Sequence, residues 1–152
     1  NKHGAQAIEN IRRINAIFES DEQVVTFPAG LVSRRKKGLI RDPEWQKSII
    51  VKAKSSKRAI VPIHVSGRCS NFFYKLANTR KLLGIKTNLE MFFLPKESYN
   101  HRNQHFVLTF GKPIPYETFD KRHTPLEWAQ LVKEHVDIIA EDPEMEFSYI
   151  KN

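Results

Sequence analysis

Cysteine is almost absent from the 152 residues; Cys69 stands alone. A single thiol excludes an internal disulfide and any multi-cysteine zinc site, and it fits a reducing compartment. Long apolar runs are missing as well, and no stretch approaches the roughly 20 residues that a bilayer-spanning helix needs. Gly-x-Ser-x-Gly and Gly-x-x-x-x-Gly-Lys-Ser/Thr do not occur, so the sequence offers neither a hydrolase-type serine elbow nor a nucleotide P-loop. Repeats, low-complexity tracts and linker-like segments are lacking too. The chain therefore reads as a single domain, residues 1–152, long enough to bury about 68–70% of its unfolded surface without a disulfide or metal. No signal peptide is expected, and the opening on Asn1-Lys2-His3-Gly4 rather than Met reads as the interior of a longer protein.

What the chain has in excess is positive charge. Lys and Arg number 25 against 17 Asp and Glu, a formal net charge of +8, within an ordinary globular composition of 40% hydrophobic and 28% charged residues. Such a surface attracts an anionic partner: nucleic acid, phospholipid head groups or a phosphorylated substrate. The charge concentrates at Arg34-Arg35-Lys36-Lys37, directly after the apolar run Val24-Val25-Thr26-Phe27 and the turn residues Pro28 and Gly30. The run has the length and β-branching of a buried strand, Pro28 ends it by removing a donor, and Gly30 permits backbone angles closed to other residues. Ser33 and the four cations then offer donors to a phosphate. The plainer alternative is a strand-to-loop turn followed by a solvated basic run.

The remaining pattern predicts alternating helices and strands. Ile8, Ile11, Ile14, Ile17 and Phe18 mark an amphipathic helix before the first strand. Asp42 as N-cap and Pro43 at the first helical position predict a second helix carrying Trp45, Ile49, Ile50 and Ala53. Ala59 to Val65 is a second strand candidate, interrupted by Pro62 at a strand end, edge or bulge, so that the two strands form a parallel βαβ unit. A helix from Asn71 follows, with Gly84 at its C-cap. Glu90 to Leu94 and Phe106 to Phe110 are further strand candidates. Gly111 to Pro115 is extended, and Thr124-Pro125 opens a last helix whose buried stripe is Leu126, Ala129, Val132, Val136, Ile139 and Ala140. The resulting expectation is an α/β fold, a mostly parallel sheet flanked by helices.

The six histidines do not form a recognisable metal or catalytic pattern. Only His101 and His105 have His-x-x-x-His spacing, and they lie in a polar segment leading into a strand, so no metal or cofactor is expected. His64 falls in an apolar strand and reads as a core or rim residue. The aromatics among the basic residues of Arg68 to Arg80 read as core rather than as an RNA platform.

Phe27-Pro28-Ala29-Gly30-Leu31-Val32-Ser33-Arg34 resembles the Phe-Pro-Glu-Gly-Thr-Arg-Ser block of the glycerolipid acyltransferases, which acylate glycerol-3-phosphate and lysophosphatidic acid. Val61-Pro62-Ile63 resembles that family's later Val-Pro-Ile block, and Phe110-Gly111-Lys112-Pro113-Ile114 its terminal strand ending in Gly-x-Pro. Among bacterial members the likeness is to those called hemolysins or lysophospholipid acyltransferases. The resemblance implies an acceptor site at Phe27, Pro28, Gly30, Ser33, Arg34, Arg35, Val61, Pro62 and Ile63. It implies an acyl carrier protein or acyl-CoA donor, a lysophospholipid or glycerol-phosphate acceptor, and a cytoplasmic location peripheral to the inner face of a membrane, with no nucleic-acid partner. The alternative is a basic, non-catalytic module that binds a membrane surface or nucleic acid.

Two departures qualify the resemblance. The family's His-x-x-x-x-Asp block, in which Asp orients a His that deprotonates the acceptor hydroxyl, has no match here. The residues five after His3, His64, His101, His105, His123 and His135 are Ile8, Cys69, Phe106, Phe110, Trp128 and Ala140. The chain is therefore expected to be the C-terminal portion of an acyltransferase domain, N-terminally incomplete and inactive alone. In the second departure, Ala29 and Val32 replace the block's Glu and Arg, leaving Ser33 and the cations from Arg34 to Lys37 as anion donors. Reversing the charge at Arg34 is expected to raise the acceptor KM with the fold unchanged.

Overall fold

A computed structural model describes residues 2–148, with side chains from residue 8 onward; Asn1, the side chain of His3 and residues 149–152 lie outside the described residues. Helix α1 spans Lys2–Glu19, and a hairpin of β1 (Arg34–Lys36) and β2 (Leu39–Arg41) follows. Next come α2 (Ser48–Ser55), β3 (Ile63–Val65), α3 (Asn71–Leu82), a 3₁₀ turn at Leu89–Phe93 running into α4 (Leu94–Asn100), β4 (Leu108–Phe110), a 3₁₀ turn at Tyr116–Thr118, and α5 (Pro125–Ile139).

The core lies between α2 and α5. Ile50 and Ala53 of α2 pack with Trp128, Ala129 and Val132 of α5, joined by Trp45, Ile60, Ile114 and Phe119. Helix α5 forms as its sequence predicts. The Thr124 hydroxyl accepts from the Glu127 amide at 3.3 Å, while the Thr124 amide donates to the Glu127 carboxylate at 2.7 Å, a reciprocal capping box with Pro125 opening the helix. Its stripe is buried at Ala129, Val132 and Ile139, whereas Leu126 and Ala140 face solvent. Helix α3 starts on Ser70, whose hydroxyl accepts from the Phe73 amide, and Gly84 follows it at a φ of +71°, the left-handed position that glycine fills at helix ends.

The sheet differs from the parallel arrangement expected of it. Both ladders are two-stranded and antiparallel: β1 with β2, and β3 with β4 through the pairs Ile63–Phe110, His64–Thr109 and Val65–Leu108. The βαβ unit fails because Val24 to Phe27 is not a strand. Val25 and Phe27 are exposed, no chain pairs with them among the described residues, and the turn at Pro28 follows at once. β-Branching favours a strand only where a partner edge and a covering layer exist. Glu90 to Leu94 is not a strand either, because its Glu90 carboxylate turns inward to two arginines and the backbone winds into the 3₁₀ turn. The interruption at Pro62 is present. Ile60 bridges Ile114, the register resumes at Ile63–Phe110, and the intervening segments differ by one residue, a bulge where the Gly111 amide donates to the Pro62 carbonyl at 2.9 Å.

Helix α2 begins at Ser48, six residues after the expected cap Asp42. Asp42 is used elsewhere: the Ser33 hydroxyl donates to its Oδ1 at 2.6 Å and the Trp45 indole to its Oδ2 at 3.2 Å. Helix α1 is amphipathic as its spacing predicts, yet Ile8, Ile11, Ile14 and Ile17 remain about half exposed.

Candidate functional site

The basic segment is a β-hairpin. Lys37 and Gly38 form its two-residue turn with φ of +48° and +84°, the paired left-handed conformation of a type I′ turn, which matches the twist of the flanking strands. Lysine is strained there, while Gly38 is not. The Ser33–Asp42 hydrogen bond closes the open end, one pair beyond Arg34–Arg41 in the same register. Upstream, the Gly30 amide donates to the Phe27 carbonyl at 3.0 Å, making a four-residue turn with Pro28 second and Gly30 last at a φ of +64°. The Gln46 amide donates to the Pro28 carbonyl at 3.0 Å and anchors this turn beside the core.

The hairpin lies on α3, and the two arginines of β1 meet successive aromatic residues of that helix. The Arg34 guanidinium sits 5.8 Å from the Phe73 ring centre and that of Arg35 4.9 Å from the Tyr74 ring centre. Arg34 Nη2 also donates to Glu90 Oε1 at 2.9 Å, while Arg80 of α3 donates from Nε to Glu90 Oε2 at 2.9 Å and from Nη2 to Oε1 at 3.3 Å. Glu90 is fully buried, and the Arg34 and Arg80 side chains are only 16% and 12% exposed. Two guanidiniums against one carboxylate leave this cluster with a single net positive charge. Arg35 donates from Nη2 to Asn71 Oδ1 at 2.8 Å, and its buried Nε has no partner among the described residues. Lys36 and Lys37 are exposed.

Asn71 also borders an open depression of about 430 Å³, lined with it by Gly67, Arg68, Cys69, Ser70, Asn100, His101 and Gln104. The first turn of α3 cannot serve as the anion slot there, because the buried Glu97 carboxylate accepts from the Ser70 amide and hydroxyl, both at 2.6 Å. Burial, and then the Glu97 charge, push the Cys69 thiol above its ordinary pKa, so it is a poor nucleophile. Burial likewise raises the Tyr74 phenol, whose oxygen accepts from the Cys69 amide at 3.1 Å. The arrangement offers cationic and amide donors to an anion.

The positions expected from sequence are only partly brought together. Ser33, Arg34 and Arg35 share the hairpin, with Phe27, Pro28 and Gly30 in the turn before it. Phe27 is 81% exposed. Ile63 opens the β3–β4 ladder and Val61 and Pro62 form the bulge before it, where Pro62 packs against Gly111, and no hydrogen bond joins the three to residues 27–35. Ser33 is committed to Asp42 and Arg34 to Glu90, which leaves Arg35 as the cation best placed for a ligand. Sequence reasoning missed Glu90, Arg80, Asn71 and Tyr74. The available signal was the lone charge of Glu90 inside Leu89-Glu90-Met91-Phe92-Phe93-Leu94, since a carboxylate among apolar residues needs a buried partner.

Residues 1–144 match the sequence profile of a family described as "Acyltransferase". The chain belongs to this acyltransferase family. It is 52% identical over 136 residues to a lyso-glycine lipid O-acyltransferase of Bacteroides thetaiotaomicron, an alignment covering 90% of the chain and 50% of that relative. It is 48% identical over 136 residues to a lyso-glycine lipid O-acyltransferase of Phocaeicola vulgatus, covering 90% of the chain and 49% of the relative. The chain thus spans about half the length of the curated relatives it matches. No solved structure matches it significantly.

Proposed function

We propose that this acyltransferase chain supplies the acceptor-binding part of an enzyme that moves a fatty acyl group from an acyl carrier protein or CoA thioester to a hydroxyl of an anionic lyso-lipid. The observation that carries the reading is the 48–52% identity to two relatives named lyso-glycine lipid O-acyltransferases. O-acylation requires a hydroxyl on the acceptor. A glycine joined to a lipid through its amine keeps one carboxylate for a cation to recognise. Arg35, held over the Tyr74 ring and beside Asn71, is the donor for that group, with the Arg34–Glu90–Arg80 cluster adding one further positive charge. Lysophospholipid and glycerol phosphate are the alternative acceptors, and a phosphate would meet the same donors. The His-x-x-x-x-Asp pair that removes the hydroxyl proton comes from elsewhere in the protein.

The enzyme works at the inner face of a membrane, as a peripheral protein. Supporting this are exposed apolar side chains, among them Phe27, Phe72 and Phe92, on a chain of net charge +8, the combination that suits an anionic lipid surface. The test is turnover by the intact protein of a labelled acyl thioester with an N-(hydroxyacyl)glycine, a lysophospholipid or glycerol phosphate. Transfer to none of the three overturns the reading.

A further inference from the structure

We infer that Glu90 is a positioning and specificity-determining residue for the acceptor head group. By holding Arg34 and Arg80 together and cancelling one of their two charges, it favours a singly charged head group over a dianionic phosphate. The inference rests on the acceptor meeting the hairpin, as proposed above. Three separate elements converge on this carboxylate: Arg34 from β1, Arg80 from α3, and Glu90 itself from the 3₁₀ turn at Leu89–Phe93. Each carboxylate oxygen accepts from a guanidinium at 2.9 Å, and Arg80 Nη1 also donates to the Ile85 carbonyl at 2.7 Å. The hairpin's seat on α3 is thereby fixed, and with it the neighbouring Arg35 over Tyr74.

Burial gives this pairing electrostatic reach. Glu90 is wholly removed from water and its partners nearly so, so solvent screens the cluster less than an exposed pair. With the carboxylate the cluster presents one positive charge; without it, two. A dianion gains more than a monoanion from the second charge. One unit charge acting across roughly 12 Å at an effective dielectric near 20 changes the discrimination about tenfold.

The test uses the intact protein, one acyl donor and two acceptors, an N-(hydroxyacyl)glycine and lysophosphatidic acid, and reads the ratio of their kcat/KM values. Glu90→Gln should move the ratio about tenfold toward the phosphate acceptor, and Arg80→Gln, which leaves the cluster neutral, should move it toward the carboxylate. The Arg80→Gln/Glu90→Gln double variant restores a single positive charge and should return the ratio toward wild type. Should Glu90→Gln fail to fold, as thermal melting would reveal, Arg80→Gln and the double variant still decide the matter. A residue that only braces the fold would depress both acceptors equally, and unchanged ratios in the variants overturn this inference alone. Wild-type protein that acylates neither acceptor overturns this inference, and it overturns the proposed function as well when glycerol phosphate is not acylated either.

Discussion

Replacing Arg34 by Glu places a second carboxylate against Glu90, which has no exposure to water. Loss of the Arg34–Glu90 hydrogen bond alone costs about 1.5–3 kcal/mol, the range for a bond to a charged group, because Arg80 still pairs with the carboxylate. The incoming like charge brings the total to about 3–5 kcal/mol, the cost of breaking a buried ion pair. For a domain of this size that corresponds to a fall of roughly 10 °C in melting midpoint. The sequence alone led to a different expectation, a changed acceptor KM with the fold intact, because the guanidinium's buried partner lies 56 residues away. Arg35→Met is the contrasting variant. It keeps apolar cover over Tyr74 and should alter stability by no more than about 1 kcal/mol while raising the acceptor KM with little change in kcat, the signature of lost uniform binding. Thermal melting and acceptor kinetics on both variants separate the two roles. A melting midpoint for Arg34→Glu equal to wild type would refute the buried-pair argument, and unaltered KM for Arg35→Met would refute its role as the head-group donor.

Thr124→Ala removes the hydroxyl half of the α5 capping box and should lower stability by about 1 kcal/mol, read from urea midpoints; no change would show that the cap is redundant. His135 is buried with Nε2 unpartnered among the described residues, and burial pushes its pKa below the ordinary 6.5. The unfolded imidazole therefore takes up its proton at a higher pH than the folded one, so stability should fall as pH drops below about 6.5, by at most about 1.4 kcal/mol per pH unit for this group. His135→Phe should flatten that slope between pH 7.5 and 5.5, and an identical slope in the variant would assign it to other groups. The 152 residues alone should give no detectable acyl transfer, since a positioned general base typically contributes about 10² to 10⁴ in rate and no histidine here has the partner aspartate. Turnover by the chain matching that of the intact protein would place the base among these residues.

Local chemistry was legible in the sequence wherever its cause was local. The Thr124-Pro125 start of α5, Gly84 after α3 and the interruption at Pro62 follow from capping, left-handed backbone and a missing donor, each settled within a few residues. The blocks at Phe27 to Arg34 and Val61 to Ile63 likewise pointed to the acyltransferase family that the profile match bears out. Strand pairing was not legible, because an apolar β-branched run specifies a preference for extended chain but not the edge it joins. Val24 to Phe27 has no partner strand among the described residues, and Ala59 to Val65 meets β4 running the other way. The partners of the cations were beyond reach for the same reason. Asp42 looked like a cap until Ser33 and Trp45 claimed it, and Glu90 looked like one face of a strand until Arg34 and Arg80 did. The sequence by itself determined the charge, the hairpin's donors and the family. Only tertiary structure decided which donors stay available, because a buried charge takes the nearest opposite charge in space, wherever that residue falls along the chain.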